Sequence, residues 1–312
     1  MSGLRPRRID QPADFGRVAL MVGGDSAERE VSLNGGKDIA RALRRLKVRH
    51  EVYDGPAALL EAVFAHQVDR VFNLMHGPGG EDGAIQGALE LLRVPVTGSG
   101  LLGSALTMDK ARSKWLLQRL GLPTAPFELL APGDDPAPAL ERFGLPVFIK
   151  PNCLGSSIGI SKVTRLDELD EALSLAFRYG SEVLLEPTIN GKEYFAGILE
   201  RTTLPLIGIE TPRAFYDYEA KYHSSETRYR CPCGLEPDLE QALQAQSLAV
   251  FEALGASGWG RVDFILDEGG EPWFLEVNTV PGMTDHSLMP QAAARMGVDF
   301  DELVWRVLET SL

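Results

Sequence analysis

Cysteine, basic charge and long apolar runs are all scarce in this chain of 312 residues. Its three cysteines, Cys153, Cys231 and Cys233, cannot all pair, and "CPCG" lacks the partners and spacing of a metal site. We therefore expect reduced thiols and a cytoplasmic protein. No stretch reaches about 18 uninterrupted apolar residues, and no apolar segment follows the N-terminal arginines, so we expect neither a membrane span nor a signal peptide.

Basic residues are outnumbered by acidic ones. The chain has 31 Lys and Arg against 44 Asp and Glu, which gives a net charge of -13. Such a protein repels nucleic acid and anionic membranes at long range, so we expect neither as a partner. Any anionic ligand must be held by local lysines and arginines. A composition that is 44% hydrophobic and 24% charged is typical of a globular protein.

Alternating strand and helix patterns predict an α/β fold. Strands are indicated at "RVALMVGG", "HEVYD" and "RVFNLMHG", helices at "REVSLNGGKDIARALRRL" and "AIQGALELL", and the short apolar "VPVTG" continues the alternation. This pattern is typical of a small parallel unit. Its functional loops are expected at the C-terminal ends of the strands.

The pattern changes from "MDKARSKWLLQRLG" onward. That helix is followed by strands around "PVFIKP" and "SIGISKV", a helix "LDELDEALSLAFRYG", and strands "EVLLEP" and "EYFAGILE". We interpret "APGDDPAPAL", residues 131–140, as a surface loop. The last third has a helix "DLEQALQAQSLAVFEALG", a hairpin "GRVDFILDEGGEPWFLEVNT" that turns at "DEGGE", and a terminal helix "FDELVWRVLETSL".

The hairpin carries the most informative acids. Asp263 lies on its first strand, and Glu276 and Asn278, two residues apart, share a face of its second strand. Two carboxylates and an amide oxygen are a ligand set for a hard divalent ion, and Mg²⁺ is usually completed by phosphates and water. Arg261 is expected on the same face as Asp263. A solvated hairpin face is the alternative.

A lysine and a loop of small residues point to an anion site. In "VFIKPNCLGSSIGISK", Lys150 ends an apolar strand, and backbone N–H groups of Gly155, Ser156, Ser157 and Gly159 could approach an anion closely. The order differs from a P-loop, in which the glycines come first and the lysine last. If nucleotide binds here, two strands and their turn must hold it.

Two further lysines are candidates for phosphate binding. Lys110 lies in "TMDKARS" on a helix, and Lys221 lies in "YEAKYHSSE". For either lysine, a solvated surface cation is the alternative.

Two strand-end loops of the first unit could form a site for a zwitterion. "GGDSAEREVSL" places Glu28 after one strand, and "HGPGGEDGAIQG" places His76 after another, with backbone donors at the start of a helix. Turns need glycines anyway, so the glycines alone are weak evidence.

Taken together, these segments resemble one family. The motifs are "GGDSAEREVSL", "HGPGGEDGAIQG", "VTGSG" with "MDK", "KPNCLGSSIG", "FYDYEAKY", "GWGRVDF", "LEVNTVPGMT" and "HSLMP". In this order they resemble the D-alanine:D-alanine ligases of the ATP-grasp superfamily, over nearly the whole chain after the N-terminal tail. The resemblance implies an α/β N-terminal domain followed by an α+β ATP-grasp part of two subdomains. We expect boundaries at 1–16 for the tail, 17–108, 109–193 and 194–312.

The resemblance also implies how ATP and metal are bound. Asp263, Glu276 and Asn278 match the magnesium ligands, and two Mg²⁺ ions are expected, with Mn²⁺ as a substitute. The loop "GSS" would close over the phosphates, and the segment "LLEPTI" would contact adenine. The nucleotide-binding residues expected on this basis are Lys110, Lys150, Ser157, Glu186, Ile189, Glu193 and Lys221.

For the substrates, the resemblance implies two amino-acid sites. Glu28 would anchor the first ammonium group, His76 would lie near the first carboxylate, and Ser287 with Leu288 would hold the second carboxylate. Arg261 and the N–H of Gly282 would stabilise the charge of the tetrahedral intermediate. Ser156 and Tyr222 would hydrogen-bond with Glu28 to close a lid that excludes water.

The implied reaction is the ATP-dependent joining of two D-alanines through an acyl phosphate, for peptidoglycan precursor synthesis, by an expected homodimer. An ATP-grasp ligase for other amino acids or for D-lactate is an alternative, for which His223 beside Tyr222 is relevant. A non-catalytic nucleotide-binding regulator is another. Two features depart from the family pattern: a tail of about fourteen residues is longer than expected, and Cys233 stands where alanine is more frequent.

Overall fold

The computed structural model describes residues 4–211, 227–284 and 286–312. This part of the chain forms three β-sheets with helices packed on them. No helix within it is long and apolar enough to cross a membrane. All three cysteines are free thiols, exposed at Cys153 and buried at Cys231 and Cys233.

The first sheet is parallel, with strand order β2-β1-β3. Its elements are β1 (Val18–Val22), α1 (Arg29–Arg45), β2 (His50–Asp54), α2 (Gly55–Phe64), β3 (Arg70–Asn73), α3 (Ala84–Leu91) and α4 (Leu101–Met108). The central strand β1 is buried along its whole length, because alternate residues pack into apolar clusters on its two faces. The parallel unit is therefore confirmed. "VPVTG" contributes only a single bridge, from Val96 to Val71.

The second sheet is antiparallel, with strand order β4-β7-β5-β6. Its elements are α5 (Lys110–Arg119), β4 (Glu128–Leu130), α6 (Ala137–Phe143), β5 (Val147–Pro151), β6 (Ser161–Val163), α7 (Leu169–Phe177) and β7 (Val183–Pro187). The prediction of a loop over residues 131–140 is wrong at its end, because α6 begins there. Proline is tolerated in a first helical turn, where N–H groups have no intrahelical acceptor.

The third sheet is antiparallel, with strand order β11-β10-β8-β12-β13 and β9 paired with β8. Its elements are β8 (Gly191–Leu199), β9 (Thr202–Thr203), β10 (Ile207–Glu210), β11 (Arg228–Arg230), α8 (Pro237–Ala253), β12 (Trp259–Asp267), β13 (Pro272–Asn278), α9 (Leu288–Arg295) and α10 (Phe300–Glu309). The predicted hairpin is confirmed as β12 and β13. The strand predicted at "EYFAGILE" is confirmed, since its residues 193–199 lie in β8.

The first and third sheets share one apolar core, whereas the second has its own. Phe72 of β3 packs edge-on against Trp259 of β12, with ring centroids 6.4 Å apart. Phe15, from the N-terminal tail, packs against Trp305 of α10 at 4.9 Å. The core of the second sheet is built from residues of β4 to β7 and of α6 and α7. The site lies where the three sheets meet.

Candidate active site

The hairpin β12–β13 brings the candidate metal ligands together. Its register places Asp263 opposite Glu276 and Arg261 opposite Asn278. Opposed residues of an antiparallel pair have Cβ atoms about 5 Å apart on one face of the sheet. A register irregularity lies just beyond Asp263, between it and Phe264. The two carboxylates and the amide thus share one face, as the sequence predicts.

Cations and a backbone amide contact these oxygen atoms. Nε and Nη2 of Arg261 each donate to Asp263 over 2.7 Å. Nζ of Lys110 lies 3.1 Å from Oε2 of Glu276, and Oδ1 of Asn278 accepts the N–H of Val280 over 3.1 Å. Since Asp263 is only 2% exposed, its charge requires such compensation.

The donor atoms fit a hard divalent cation. Carboxylate and amide oxygens are the ligands that Mg²⁺ accepts, together with phosphate and water oxygens. Within the described ranges no cluster of three or more His, Cys, Asp or Glu side chains suits a metal. A cation here would therefore depend on Asn278 and on oxygens from its ligand, which is usual for magnesium bound with a nucleotide.

The loop between β5 and β6 reaches the first sheet. Ser156 and Ser157 have φ of 51° and 57°, a left-handed conformation that non-glycine residues seldom adopt and that is concentrated at functional sites. Oγ of Ser156 donates to Oε1 of Glu28. A Cβ on Gly155 would lie 3.3 Å from that oxygen, so the small residue permits this close approach.

Glu186 connects two lysines. Its Oε2 accepts from Nζ of Lys150 over 2.6 Å, and its Oε1 lies 3.1 Å from Nζ of Lys114. Burial alone would raise the pKa of Glu186, but the charges of Lys114 and Lys150 outweigh it and lower the pKa to about 2. Sequence reasoning missed Lys114. Its signal was the four-residue spacing from Lys110, which places both lysines on one face of α5.

Glu28 and His76 are buried and incompletely bonded. They are 3% and 4% exposed. Burial lowers the pKa of His76, against the opposing charge of Glu28, so the ring is neutral and its Nδ1 donates to the carbonyl of Leu74 over 2.8 Å. Oε2 of Glu28 and Nε2 of His76 have no hydrogen-bond partner in the part of the chain described. Both atoms are acceptors, so an ammonium group would suit them.

Glu81 is a second residue that sequence reasoning missed. Its Oε2 accepts the N–H of Gly77 over 2.5 Å. Burial raises its pKa well above the ordinary value, and the charge of Glu28 raises it further. The signal was its place in "HGPGGED", five residues after His76. A protonated Glu81 would add a donor beside the unpaired acceptors.

Ser287 and its neighbours form the opposite wall of the site. Ser287 precedes the first turn of α9, and its Oγ accepts the N–H of Thr284 over 2.9 Å. Gly282 lies close by, since a Cβ there would be 3.3 Å from that Oγ. Leu288 begins α9 and is 9% exposed. The start of a helix presents N–H groups to a carboxylate.

One cavity of about 630 Å³ joins these walls. The predicted site residues that line it are Glu28, His76, Lys110, Ser156, Arg261, Glu276, Asn278, Gly282, Ser287 and Leu288. Other predicted residues lie outside its described lining, namely Lys150, Ser157, Glu186, Ile189, Glu193 and Asp263. Lys221, Tyr222 and His223 fall outside the described residues. The described amino-acid candidates and two of the three metal candidates, Glu276 and Asn278, thus line one space, and the adenine candidates are not part of its described lining.

Comparison with known proteins assigns the family. The family models described as D-ala D-ala ligase N-terminus and D-ala D-ala ligase C-terminus match residues 55–99 and 116–309. A D-alanine--D-alanine ligase of Methylococcus capsulatus is 51% identical, with 98% of this chain and 99% of the relative covered. The chain belongs to the D-alanine–D-alanine ligase family. The resemblance inferred from the motifs is confirmed.

Two solved structures of D-alanine–D-alanine ligase and one of a D-Ala:D-Ser ligase have the same fold. A ligase from Bacillus anthracis is 35% identical, with a TM-score of 0.83 over 95% of this chain and 97% of that one. A structure of the B. anthracis ligase complexed with ATP has a TM-score of 0.82 at 34% identity, over 95% and 96% of the two chains. The VanG D-Ala:D-Ser ligase of Enterococcus faecalis has a TM-score of 0.81 at 30% identity, over 95% and 99%. The predicted fold class is therefore confirmed.

Proposed function

We propose that this protein joins two D-alanines at the expense of ATP, giving D-alanyl-D-alanine, ADP and phosphate for peptidoglycan precursor synthesis. Membership of the D-alanine–D-alanine ligase family supports the reaction class. The observation that carries the proposal is one cavity lined both by Glu28 and His76, each with an acceptor that lacks a partner in the described ranges, and by Glu276 and Asn278 of the hairpin. Amine recognition and phosphoryl transfer thus meet in one space.

The first D-alanine would bind at the loops of the parallel sheet. Its ammonium group would donate to Oε2 of Glu28 and Nε2 of His76, the two acceptors without partners in the described ranges. Its carboxylate would then lie beside His76 and point towards the hairpin. Satisfying a buried carboxylate oxygen with a charged donor is worth about 1.5 to 3 kcal/mol.

The second D-alanine would bind with its carboxylate at Ser287 and the start of α9. Its amine would attack the activated carbonyl group of the first. The guanidinium of Arg261 and the N–H of Gly282 would stabilise the negative oxygen of the tetrahedral intermediate. Both residues line the cavity.

The nucleotide would lie between the second and third sheets. Lys110 and Lys150, with the backbone around Ser157, would hold the phosphates. Adenine would contact Glu186 and the backbone near Ile189, and the ribose would contact Glu193. Lys221, which lies outside the described residues, is proposed as a further phosphate ligand.

Asp263, Glu276 and Asn278 would hold two Mg²⁺ ions, or Mn²⁺ in their place. The cations would neutralise the charge on the phosphates of the nucleotide. The carboxylate of the first D-alanine attacks the γ-phosphate, the bond to ADP breaks, and an acyl phosphate forms. The amine of the second D-alanine then displaces phosphate.

A lid over the acyl phosphate would exclude water. The bond from Ser156 to Glu28 ties the loop between β5 and β6 to the first sheet. We propose Tyr222 as the third residue of this lid, with Ser156 and Glu28. Excluding water protects an intermediate that would otherwise hydrolyse.

The proposal also covers the domains of the protein, its cellular location and its oligomeric state. We propose the domain division 1–16, 17–108, 109–193 and 194–312, a cytoplasmic location and a homodimer. Leu91 of α3 and Leu102 of α4, which are 87% and 70% exposed, would offer apolar surface to a second subunit.

The test is product analysis of the purified protein with ATP, Mg²⁺ and single amino acids, D-alanine, L-alanine and D-serine. D-alanine is expected to release phosphate and dipeptide in equal amounts. Nucleotide binding without phosphate release would instead support the regulator alternative. Incubation with equal D-alanine and D-lactate tests the alternative in which D-alanine is joined to D-lactate. Depsipeptide as the main product at neutral pH would contradict dipeptide synthesis. A His223→Ala variant then shows whether that histidine selects lactate.

A further inference from the structure

We propose that Lys114 is a positioning residue of the nucleotide site. Its buried ammonium group compensates the charge of Glu186, so that Lys150 can leave Glu186 and contact phosphate. This inference rests on the proposed function, since it takes Lys150 as a phosphate ligand. The inference concerns none of the residues proposed to bind the amino acids.

The surroundings of Lys114 leave it no route to solvent. The side chain is 1% exposed. Its Nζ lies 3.1 Å from Oε1 of Glu186, donates to Oγ1 of Thr124 over 2.7 Å, and lies 5.7 Å from the ring centroid of Phe127. Burial lowers the pKa of Lys114, and the charge of Glu186 opposes that shift. A buried lysine with these partners acts on Glu186 and cannot reach a ligand itself.

The charges of the three groups explain what Lys114 adds. Glu186 is shared by two lysines, one on each oxygen. With both lysines the group carries one net positive charge, which suits a polyanion. Without Lys114, Lys150 and Glu186 would form a neutral pair. Moving Lys150 to phosphate would then leave a buried carboxylate unpaired, which is strongly unfavourable.

Lys114 is also fixed to the third sheet. Oγ1 of Thr124, which accepts from Lys114, donates to the carbonyl of Phe274 over 2.8 Å. Phe274 lies on β13, two residues before Glu276, and its N–H donates to Pro123 over 2.9 Å. The ammonium group is therefore held by the two sheets between which the nucleotide would lie. This fixed position lets it orient Glu186.

The experiment measures the dissociation constant of ADP with Mg²⁺ for the whole protein. Lys114→Met should raise it about tenfold or more, because opening the pair between Lys150 and Glu186 would then leave a buried carboxylate without a charged partner. Lys114→Arg, which keeps the charge, should recover most of the affinity. The KM for D-alanine should change less than about twofold, since the described contacts of Lys114, with Glu186, Thr124 and Phe127, lie outside the described lining of the cavity. Lys37→Met, at an exposed lysine of α1, is the matched control.

A double-mutant cycle separates positioning from general damage. In a Glu186→Gln background no carboxylate needs compensation, so Lys114→Met should weaken ADP binding much less than in the unchanged protein. An equal loss in both backgrounds would overturn the inference. If Lys114→Met does not fold, Lys114→Gln carries the same test, because an amide can still donate to Thr124 without a charge.

The two proposals fail in different ways. Failure of the unchanged protein to bind ADP would overturn the proposed function, and this inference with it. Normal binding by the unchanged protein together with normal binding by Lys114→Met or Lys114→Gln would overturn this inference alone.

Discussion

The nucleotide side and the amino-acid side of the site handle buried charge in opposite ways. On the nucleotide side Glu186 lies between two lysines, and Glu276 lies beside Lys110. On the amino-acid side one oxygen of Glu28 and one nitrogen of His76 lack partners within the described residues. A ligand on the first side must therefore exchange with internal ion pairs, whereas a ligand on the second side supplies bonds that are missing.

Because of this difference, the two ligands bind with different free-energy costs. An unpaired buried polar atom costs about 1 to 3 kcal/mol, which a bound ammonium group recovers. An ion pair that opens for a ligand needs a compensating charge nearby, and Lys114 provides one for Glu186. Substitutions on the nucleotide side should therefore act through charge balance. Those on the amino-acid side should act through single hydrogen bonds.

The largest effect is expected for Glu276→Gln, which removes a charge while keeping the shape of the side chain. The metal would lose a carboxylate and Lys110 would lose the charged partner that Glu276 provides. Loss of several kcal/mol of transition-state stabilisation corresponds to roughly a thousandfold or greater fall in kcat. Steady-state kinetics with a magnesium titration measures it, and Glu271→Gln, at an exposed acid of the hairpin turn, is the control. Near-normal kcat at saturating magnesium would contradict the metal assignment.

The next effect concerns acid stability. Because the pKa of Glu186 is lowered to about 2, its ion pairs stabilise the fold above about pH 4.5 and lose that contribution as the pH falls towards 2. Glu186→Gln should be less stable than the unchanged protein by about 3 kcal/mol near pH 6. The difference should shrink steadily below about pH 4.5, where the Glu186 carboxylate of the unfolded chain takes up protons before that of the folded protein does.

Urea unfolding of both proteins between pH 6 and pH 3 tests this expectation. Glu141→Gln, at an exposed acid of α6, controls for general charge effects. A stability difference that stays constant over this range would show that Glu186 contributes packing and not charge. Charge balance would then not be what distinguishes the nucleotide side from the amino-acid side.

On the amino-acid side, Glu28→Gln should raise the KM for the first D-alanine by about ten- to hundredfold, the equivalent of one hydrogen bond to a charged group. The KM for ATP should rise by a smaller factor, because the described link from Glu28 to the nucleotide loop is a hydrogen bond from Ser156. Glu61→Gln, at an exposed position of α2, is the matched control. Equal increases in both KM values would mean that the two sides are not independent.

Local patterns in the sequence account for much of this site, but not all of it. The acids of β12 and β13 were predicted because two-residue periodicity fixes which side chains share a face. The partner of Lys114 and the charge that acts on Glu81 could not be predicted, since Glu186 and Glu28 lie in segments distant in the chain. The start of α6 was missed because prolines that end helices elsewhere are accepted in a first turn. Tertiary contacts, which periodicity does not encode, decide such cases.

The smallest effect is expected for Ser156→Ala, which removes one hydrogen bond between the loop and Glu28. That bond contributes about 1 kcal/mol, so dipeptide formation should continue at a moderately reduced rate. Hydrolysis of ATP without dipeptide should increase, because a less stable lid admits water to the acyl phosphate. The ratio of phosphate to dipeptide measures this loss of coupling, with Ser181→Ala, at an exposed serine, as the control. Since Ser156 contacts Glu28, which would hold the amino acid, and belongs to the nucleotide loop, it joins the two sides. A ratio that stays at one would show that the bond does not close the site.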